Sequence, residues 1–170
     1  MIDMSKVITF VEDRHKDQKY GDAPYILHLS DVARTTKKYT NDPVCIAVAW
    51  LHDVLEDTDT TYSELVDIFG QTIASSVHAL TNKPGRNREE RHLKTYSFIR
   101  KDKVALMIKL CDRLSNMNAS LNNKKKAKMY VKEYKTFKFA LYDPIDGPNQ
   151  VLWQELDKVY GELKTQCQLK

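Results

Sequence analysis

Apolar residues recur along most of the chain at the three-to-four-residue spacing that is typical of amphipathic helices. Val7 and Val11, for example, lie one turn apart in the first such segment. The run of eight residues from Val44 to Leu51 is instead apolar throughout. A helix that is hydrophobic on every side is one that packs in the centre of a bundle. We therefore predict a central buried helix that continues from this run through the following sequence HDVLED.

Capping and turn residues divide the pattern into segments. Pro43 can occupy the first turn of the central helix, and Thr61 with Glu64 forms a capping box that opens a helix ending before Gly70. The other predicted helices are 4–14, 26–39, 72–80, 89–99, 103–119, 124–142 and 150–163. We predict a turn at 22–24 and no strand. The fold class is all-α, and we expect one domain over residues 1–170, a helical bundle of about eight or nine helices.

Composition supports this prediction and narrows the function. The chain has only 5 Gly and 5 Pro among 170 residues, which favours long helices. An apolar run of at most eight residues is too short for a membrane span. The net charge of +4 is compatible with a phosphate-bearing partner but does not require one. Three cysteines at no metal-ligand spacing indicate reduced thiols, and we expect a cytoplasmic protein.

The residues that indicate chemistry follow the apolar run directly. His52 and Asp53 adjoin a buried helix, where a carboxylate without a compensating charge is unfavourable by several kcal/mol. A nitrogen and an oxygen ligand about 100° apart on a helix can converge on one ion. Glu56 and Asp57 lie one turn further on, so their carboxylates project beside such an ion.

Two more polar residues lie in apolar segments, namely His28 after YIL and Asp112 after VALMIKLC. Taken singly, a His-Asp pair at a helix end is more often a structural pair or a cap, and a lone histidine more often belongs to the core. The conjunction of two imidazoles and two carboxylates favours a site for Mn²⁺, Fe²⁺ or Zn²⁺.

Three motifs in order along the chain resemble the hydrolase domain of the RelA/SpoT homologues, a branch of the HD-domain metal phosphohydrolases. The segment RHKDQKYGDAPYILH at 14–28 resembles the pattern H-x-x-Q…G-x-P-Y-I-x-H of that branch. AWLHDVLEDTDTT resembles LLHDVIEDT, and IKLCDRLSNM resembles VKLADRLHNM. The resemblance covers roughly residues 5–120, with a weaker continuation.

The resemblance implies removal of pyrophosphate from the 3′ position of guanosine tetra- or pentaphosphate. It implies one divalent ion, most often Mn²⁺ in that family, with the ligands His28, His52, Asp53 and Asp112. Glu56 and Asp57 match the pair that orients or deprotonates the attacking water, and Asn116 matches a substrate contact. We expect an HD-type hydrolase domain without a synthetase or regulatory domain.

The segments that recognise the substrate depart from the family pattern. Lys19 and Tyr20 stand where the family has Arg and Lys, and Ala119 stands where it has Thr. The segment YVKEYKTF resembles one that supplies a basic residue and a tyrosine, which places Lys132 and Tyr134 at the substrate. These departures leave two alternatives open: another phosphorylated nucleotide as substrate, or a module that sequesters a nucleotide without useful catalysis.

Basic segments raise the question of other anionic partners. The run 122–128 and the loop 86–91 are rich in lysine and arginine, but such charge runs are most often solvated faces, so we do not expect nucleic-acid binding. Further cations that can offset substrate charge are Lys83, Lys109 and Arg113. The sequence gives no indication of the oligomeric state.

Overall fold

A computed structural model describes residues 2–145 and 147–168, and these residues are predominantly helical. The all-α prediction is confirmed, with ten helical segments among the described residues, one of them a single turn. They are α1 (Met4–Arg14), α2 (Ile26–Thr36), α3 (Pro43–Leu51), α4 (Val54–Asp57), α5 (Tyr62–Phe69), α6 (Gln71–Leu80), α7 (Arg88–Ile99), α8 (Lys103–Ala119), α9 (Lys124–Leu141) and α10 (Gly147–Gln168). No helix of the described residues combines the length and hydropathy that a bilayer crossing needs.

The chain forms two compact units, residues 1–109 and residues 110–170. The first holds α1 to α7 and the beginning of α8. The second holds the end of α8 with α9 and α10. The expectation of a single domain stays a prediction.

The central helix of the first unit is α3, as predicted. It packs against α1, α2 and α6, and its residues Ala47 to Ala49 and Leu51 are fully buried. Asp42 caps its start, because its carboxylate accepts a hydrogen bond of 2.9 Å from the Val44 amide. This helix carries the chain into the core and ends at the His-Asp pair.

The prediction that α3 continues through HDVLED is wrong. The helix ends at Leu51, His52 and Asp53 form a turn, and α4 begins at Val54. The His52 Nδ1–H donates to the Ala49 carbonyl at 2.8 Å, which is the carbonyl that a continuing helix offers to the Asp53 amide. The side chain takes the place of the backbone amide at this carbonyl, which favours a break in the helix here.

The prediction that the chain contains no strand is also wrong. β1 (Lys19–Tyr20) pairs antiparallel with β2 (Ala23–Pro24), with Tyr20 opposite Ala23. Gly21 makes the turn with a φ of 64°, a left-handed conformation that glycine adopts without strain. The backbone amide of Tyr25 then donates to the Gln18 carbonyl at 3.1 Å and closes the hairpin at the start of α2.

Two helices differ from the prediction by three residues or more at an end, and one of them, α10, also continues to Gln168 rather than ending at residue 163. Helix α2 ends at Thr36 rather than at residue 39, because residues 37 to 39 continue as a turn in which the amides of Lys38 and Tyr39 donate to carbonyls three residues back. Helix α10 begins at Gly147 although Pro148 follows, since a proline in the first turn of a helix has no intrahelical hydrogen bond to lose.

The second unit is held by aromatic packing between α9 and α10. Phe137 lies 5.4 Å from Trp153 between ring centroids, and Tyr134 stacks on Tyr160 at 4.3 Å. The buried Arg113 of α8 forms an ion pair of 3.0 Å with Glu133 of α9.

Candidate metal centre

Three of the four predicted metal ligands lie together in the first unit. His28 is on the first turn of α2, His52 follows the last residue of α3, and Asp53 precedes α4. Each offers a ligand atom, and these atoms all lie within 4.8 Å of one another. The two imidazoles are buried, with 7% of His28 and 3% of His52 exposed. The cluster therefore forms where α2 begins and α3 ends, beside the partly exposed carboxylate of Asp53.

The tautomer of His52 indicates what this cluster can hold. Since a carbonyl oxygen only accepts hydrogen bonds, the contact with Ala49 fixes the proton on Nδ1. In the neutral ring, the Nε2 lone pair then faces the Asp53 Oδ2 at 3.0 Å. A neutral ring in this position can bind a cation together with that oxygen, whereas an imidazolium ring donates its Nε2–H to it. The second imidazole has its Nε2 3.8 Å from the same oxygen.

The donor set fits a divalent metal ion. Neutral imidazole nitrogens with a carboxylate oxygen suit Mn²⁺, Fe²⁺ or Zn²⁺. A histidine whose other ring nitrogen donates to a backbone carbonyl is also the usual arrangement around a protein metal ion, because that bond fixes the orientation of the ring. His28, His52 and Asp53 can thus hold one divalent cation.

The fourth predicted ligand, Asp112, belongs to the second unit. It lies on α8, is 8% exposed and accepts a hydrogen bond from the Asn116 side-chain amide one turn on. The predicted metal ligand and the predicted substrate contact on α8 are therefore in contact with each other. Their roles in the site stay predictions.

Glu56 and Asp57 are exposed on α4 and immediately follow the cluster. The Glu56 carboxylate accepts two hydrogen bonds from Asn82, one from the side-chain amide at 2.7 Å and one from the backbone amide at 3.2 Å. The pKa of Asp57 is raised, first by partial desolvation and then by the charge of Asp53. A carboxylate with a raised pKa is a better proton acceptor near neutral pH.

The hairpin places Tyr20 directly on a candidate ligand. Its ring stacks on the His28 ring, with centroids 4.8 Å apart and an angle of 10° between the planes. The predicted substrate contact at this position therefore also covers one face of an imidazole. Lys19, the preceding residue, is exposed.

The two residues predicted on α9 lie in different surroundings. Lys132 is exposed. Tyr134 is 3% exposed, and its hydroxyl donates to Asp157 at 2.9 Å, so the structure gives it a packing role between α9 and α10. Burial and the Asp157 hydrogen bond raise its pKa well above the ordinary value. Its role as a substrate contact stays a prediction.

Of the further candidate cations, Lys83 and Arg113 have identified partners. The Lys83 ammonium donates to the His78 carbonyl at 2.9 Å, and burial lowers its pKa. Arg113 is committed to Glu133 inside the second unit.

Sequence reasoning gave no role to three residues around the acidic pair. Tyr25 donates toward both Asp53 and Asp57, Gln18 donates its side-chain amide to the Asp57 carbonyl, and Asn82 binds Glu56. Tyr25 and Gln18 are part of the quoted motif at 14–28, which is the one signal that pointed to them. Asn82 is 26 residues from its partner and carries no signal in the sequence.

The fold and the cluster define a class: an all-α protein with a histidine and aspartate site able to hold a divalent metal. A family model described as HD domain matches residues 8–149, across both compact units. The chain belongs to the HD domain family.

Individual relatives give the same picture. The chain is 29% identical over 166 residues to the guanosine-3′,5′-bis(diphosphate) 3′-pyrophosphohydrolase MESH1 of Danio rerio. The aligned region covers 92% of each sequence. It is 33% identical over 120 residues to the guanosine-3′,5′-bis(diphosphate) 3′-pyrophosphohydrolase of Aquifex aeolicus, covering 68% of this chain but only 17% of that enzyme.

A solved structure of a metazoan SpoT orthologue, described as hydrolysing ppGpp, has a TM-score of 0.78 at 23% identity. The match covers 93% of both chains. This likeness shows the fold.

Proposed function

We propose that the protein is a metal-dependent guanosine-3′,5′-bis(diphosphate) 3′-pyrophosphohydrolase. The observation that carries the proposal is the similarity to the Danio rerio enzyme along 92% of both sequences. The cluster of His28, His52 and Asp53 supports it, because hydrolysis of a phosphate ester at neutral pH benefits from a cation that activates water. The reaction adds water to the tetraphosphate and yields GDP and pyrophosphate.

The ligands proposed for the metal are His28, His52, Asp53 and Asp112, and we propose Mn²⁺ as the ion. When bound, such an ion lowers the pKa of the water attached to it and polarises a phosphoryl oxygen. The Nδ1–H bond from His52 to Ala49 holds its ring with Nε2 turned toward Asp53. Burial of both imidazoles keeps bulk water from competing for their nitrogens.

Glu56 and Asp57 are the proposed catalytic carboxylates. The two hydrogen bonds from Asn82 orient the Glu56 carboxylate, and the Tyr25 hydroxyl, 3.0 Å from the Asp57 carboxylate, holds that side chain beside the cluster. The pair can therefore divide the work of orienting the attacking water and taking its proton.

Substrate recognition is proposed for Lys19, Tyr20 and Asn116, with Lys132 as a further cation. Lys19 and Lys132 are exposed and can approach phosphate groups. The amide of Asn116 already donates to Asp112, so this residue couples a proposed ligand to a proposed substrate contact. We propose a cytoplasmic location, which fits the reduced cysteines of the chain.

Two features favour a second candidate, hydrolysis of another phosphorylated nucleotide. A lysine at position 19 forms a poorer planar stack than the arginine of the resembling family, and the Tyr20 ring already stacks on His28. Both features alter the surface on which a guanine base is expected to rest.

Purified protein loaded with Mn²⁺ is tested for release of pyrophosphate from guanosine tetraphosphate. We expect formation of GDP, and loss of at least about 100-fold in kcat for Glu56→Gln. The control Glu155→Gln, an exposed α10 residue, keeps the wild-type rate. No turnover by protein with confirmed bound metal contradicts the proposal, and a faster reaction with another nucleotide in the same assay supports the second candidate.

A further inference from the structure

The hydroxyl of Tyr25 lies between a proposed metal ligand and a proposed catalytic carboxylate. It is 2.6 Å from the Asp53 Oδ2 and 3.0 Å from the Asp57 Oδ2. A phenol has one proton to donate, and both neighbours are carboxylate oxygens. Two like charges that share one donor are held close to each other in spite of their mutual repulsion.

The Tyr25 ring is fixed independently of this hydroxyl. It stacks on the His15 ring with centroids 5.0 Å apart and planes 12° apart. The Tyr25 backbone amide is bonded to Gln18, and the residue caps the start of α2, which carries His28 three residues on. The position of the ring is therefore determined by packing and by backbone hydrogen bonds, and not by the hydrogen bonds of its own hydroxyl.

The same group of residues also fixes the main chain of Asp57. His15 Nδ1 contacts the Gln18 side-chain oxygen at 2.7 Å, and the amide of that Gln18 donates to the Asp57 carbonyl. Asp57 is thus held twice, at its backbone by Gln18 and at its carboxylate by Tyr25. These contacts link the end of α1 and the hairpin to α4, which carries Glu56 and Asp57.

We propose that Tyr25 is a positioning residue whose hydroxyl joins the ligand Asp53 to the catalytic Asp57 and sets the distance between them. The part of this inference that concerns catalysis by Asp57 rests on the proposed function. The part that concerns metal binding by Asp53 rests only on the cluster of His28, His52 and Asp53. A hydrogen bond to a ligating carboxylate orients that ligand, and its loss typically lowers metal affinity or activity by about 10–100-fold.

The experiment compares wild type, Tyr25→Phe and the control Tyr62→Phe, each as the full chain. Tyr25→Phe keeps the ring that stacks on His15 and removes only the hydroxyl. Tyr62→Phe removes a hydroxyl that contacts Gln71 and Ser75 on α6. Urea unfolding establishes that all three proteins are folded.

Calorimetric titration with MnCl₂ is the first readout. We expect Tyr25→Phe to bind Mn²⁺ about 10-fold or more weakly than wild type, and Tyr62→Phe to bind as wild type does. Equal Mn²⁺ affinity of Tyr25→Phe and wild type overturns the proposal. This readout decides the role of Tyr25 even if the wild type fails to hydrolyse guanosine tetraphosphate, a result that instead refutes the proposed function.

A double-mutant cycle with Asp57→Asn is the second readout, at saturating Mn²⁺. We expect Tyr25→Phe to lower kcat by about 10-fold with little change in KM, and to cause no further loss when Asp57 is already Asn. Independent, multiplicative losses in the double variant overturn the link between Tyr25 and Asp57, since they mean that the hydroxyl acts elsewhere.

Discussion

The ion pair between Arg113 and Glu133 is a sensitive test of the second unit, because it is buried. The Arg113 side chain is 4% exposed, its Nη1 lies 3.0 Å from the Glu133 Oε2, and its guanidinium also packs over Tyr130 and Phe137 at 5.0 and 4.5 Å. The pair joins α8 to α9 directly beside Asp112, the fourth proposed metal ligand. Glu133→Gln removes the carboxylate charge while nearly preserving the shape of the side chain.

The expected cost follows from the burial of the two partners. Breaking a buried pair typically costs about 3–5 kcal/mol, because the remaining charge is left without compensation. Glu133 retains 20% exposure of its side chain, so the lower end, about 3 kcal/mol, applies. With a urea m-value of about 2 kcal/mol per M, the midpoint falls by about 1.5 M.

Urea unfolding followed by circular dichroism measures this change. Replacing both charges in Arg113→Met with Glu133→Leu is expected to recover most of the loss, since no unpaired charge is then buried. Glu155→Gln, at an exposed position of α10, serves as the surface control and is expected to change stability by less than about 0.5 kcal/mol. A Glu133→Gln midpoint equal to that of the control refutes the reasoning.

Three further predictions concern stability and thiol chemistry. Asp42→Ala removes the cap of α3 and is expected to lower the free energy of unfolding by about 1 kcal/mol in urea, whereas Asp42→Asn retains a cap; equal losses contradict the capping role. Burial raises the pKa of the Cys45 thiol to about 11, so at pH 8 a thiol reagent should modify it at least about 100-fold more slowly in the folded chain than in urea, and equal rates disprove this. Hydrogen bonds from Lys94 and Arg86 lower the pKa of Glu90 to about 2 from 4.5, so its contribution to stability is present above pH 4.5 and is lost as the pH falls toward 2. The stability difference between wild type and Glu90→Gln should therefore shrink over this range, and a difference independent of pH is the contrary result.

Local signals in the sequence were sufficient for most helices. The observed boundaries of α1 and α8 agree with those predicted from the hydrophobic spacing. The predicted cap at Thr61 is also present, because its side-chain oxygen accepts a hydrogen bond of 3.2 Å from the Glu64 amide. The break after α3 was missed because a helix that is apolar on all sides carries no periodicity, so its end leaves no change in the pattern. The hairpin was missed because strands of two residues are too short to show alternation.

The site could be predicted in its residue types but not in its contacts. The proximity of His28 to the His52-Asp53 pair followed from polar residues in apolar segments and from the family motifs, and the structure places these three together. The contact of Tyr25 with Asp53 joins residues 28 positions apart and depends on the turn that ends α3. Such a contact arises from tertiary packing, which no local pattern records.

The central claim is that one divalent cation, held by the His-Asp cluster, is required to hydrolyse guanosine tetraphosphate. The most direct measurement is the Mn²⁺ content and the turnover of wild type and Asp53→Ala, purified and assayed side by side. We predict that Asp53→Ala stays folded but loses both the bound ion and the release of pyrophosphate. An Asp53→Ala variant that retains wild-type turnover without bound metal contradicts the claim.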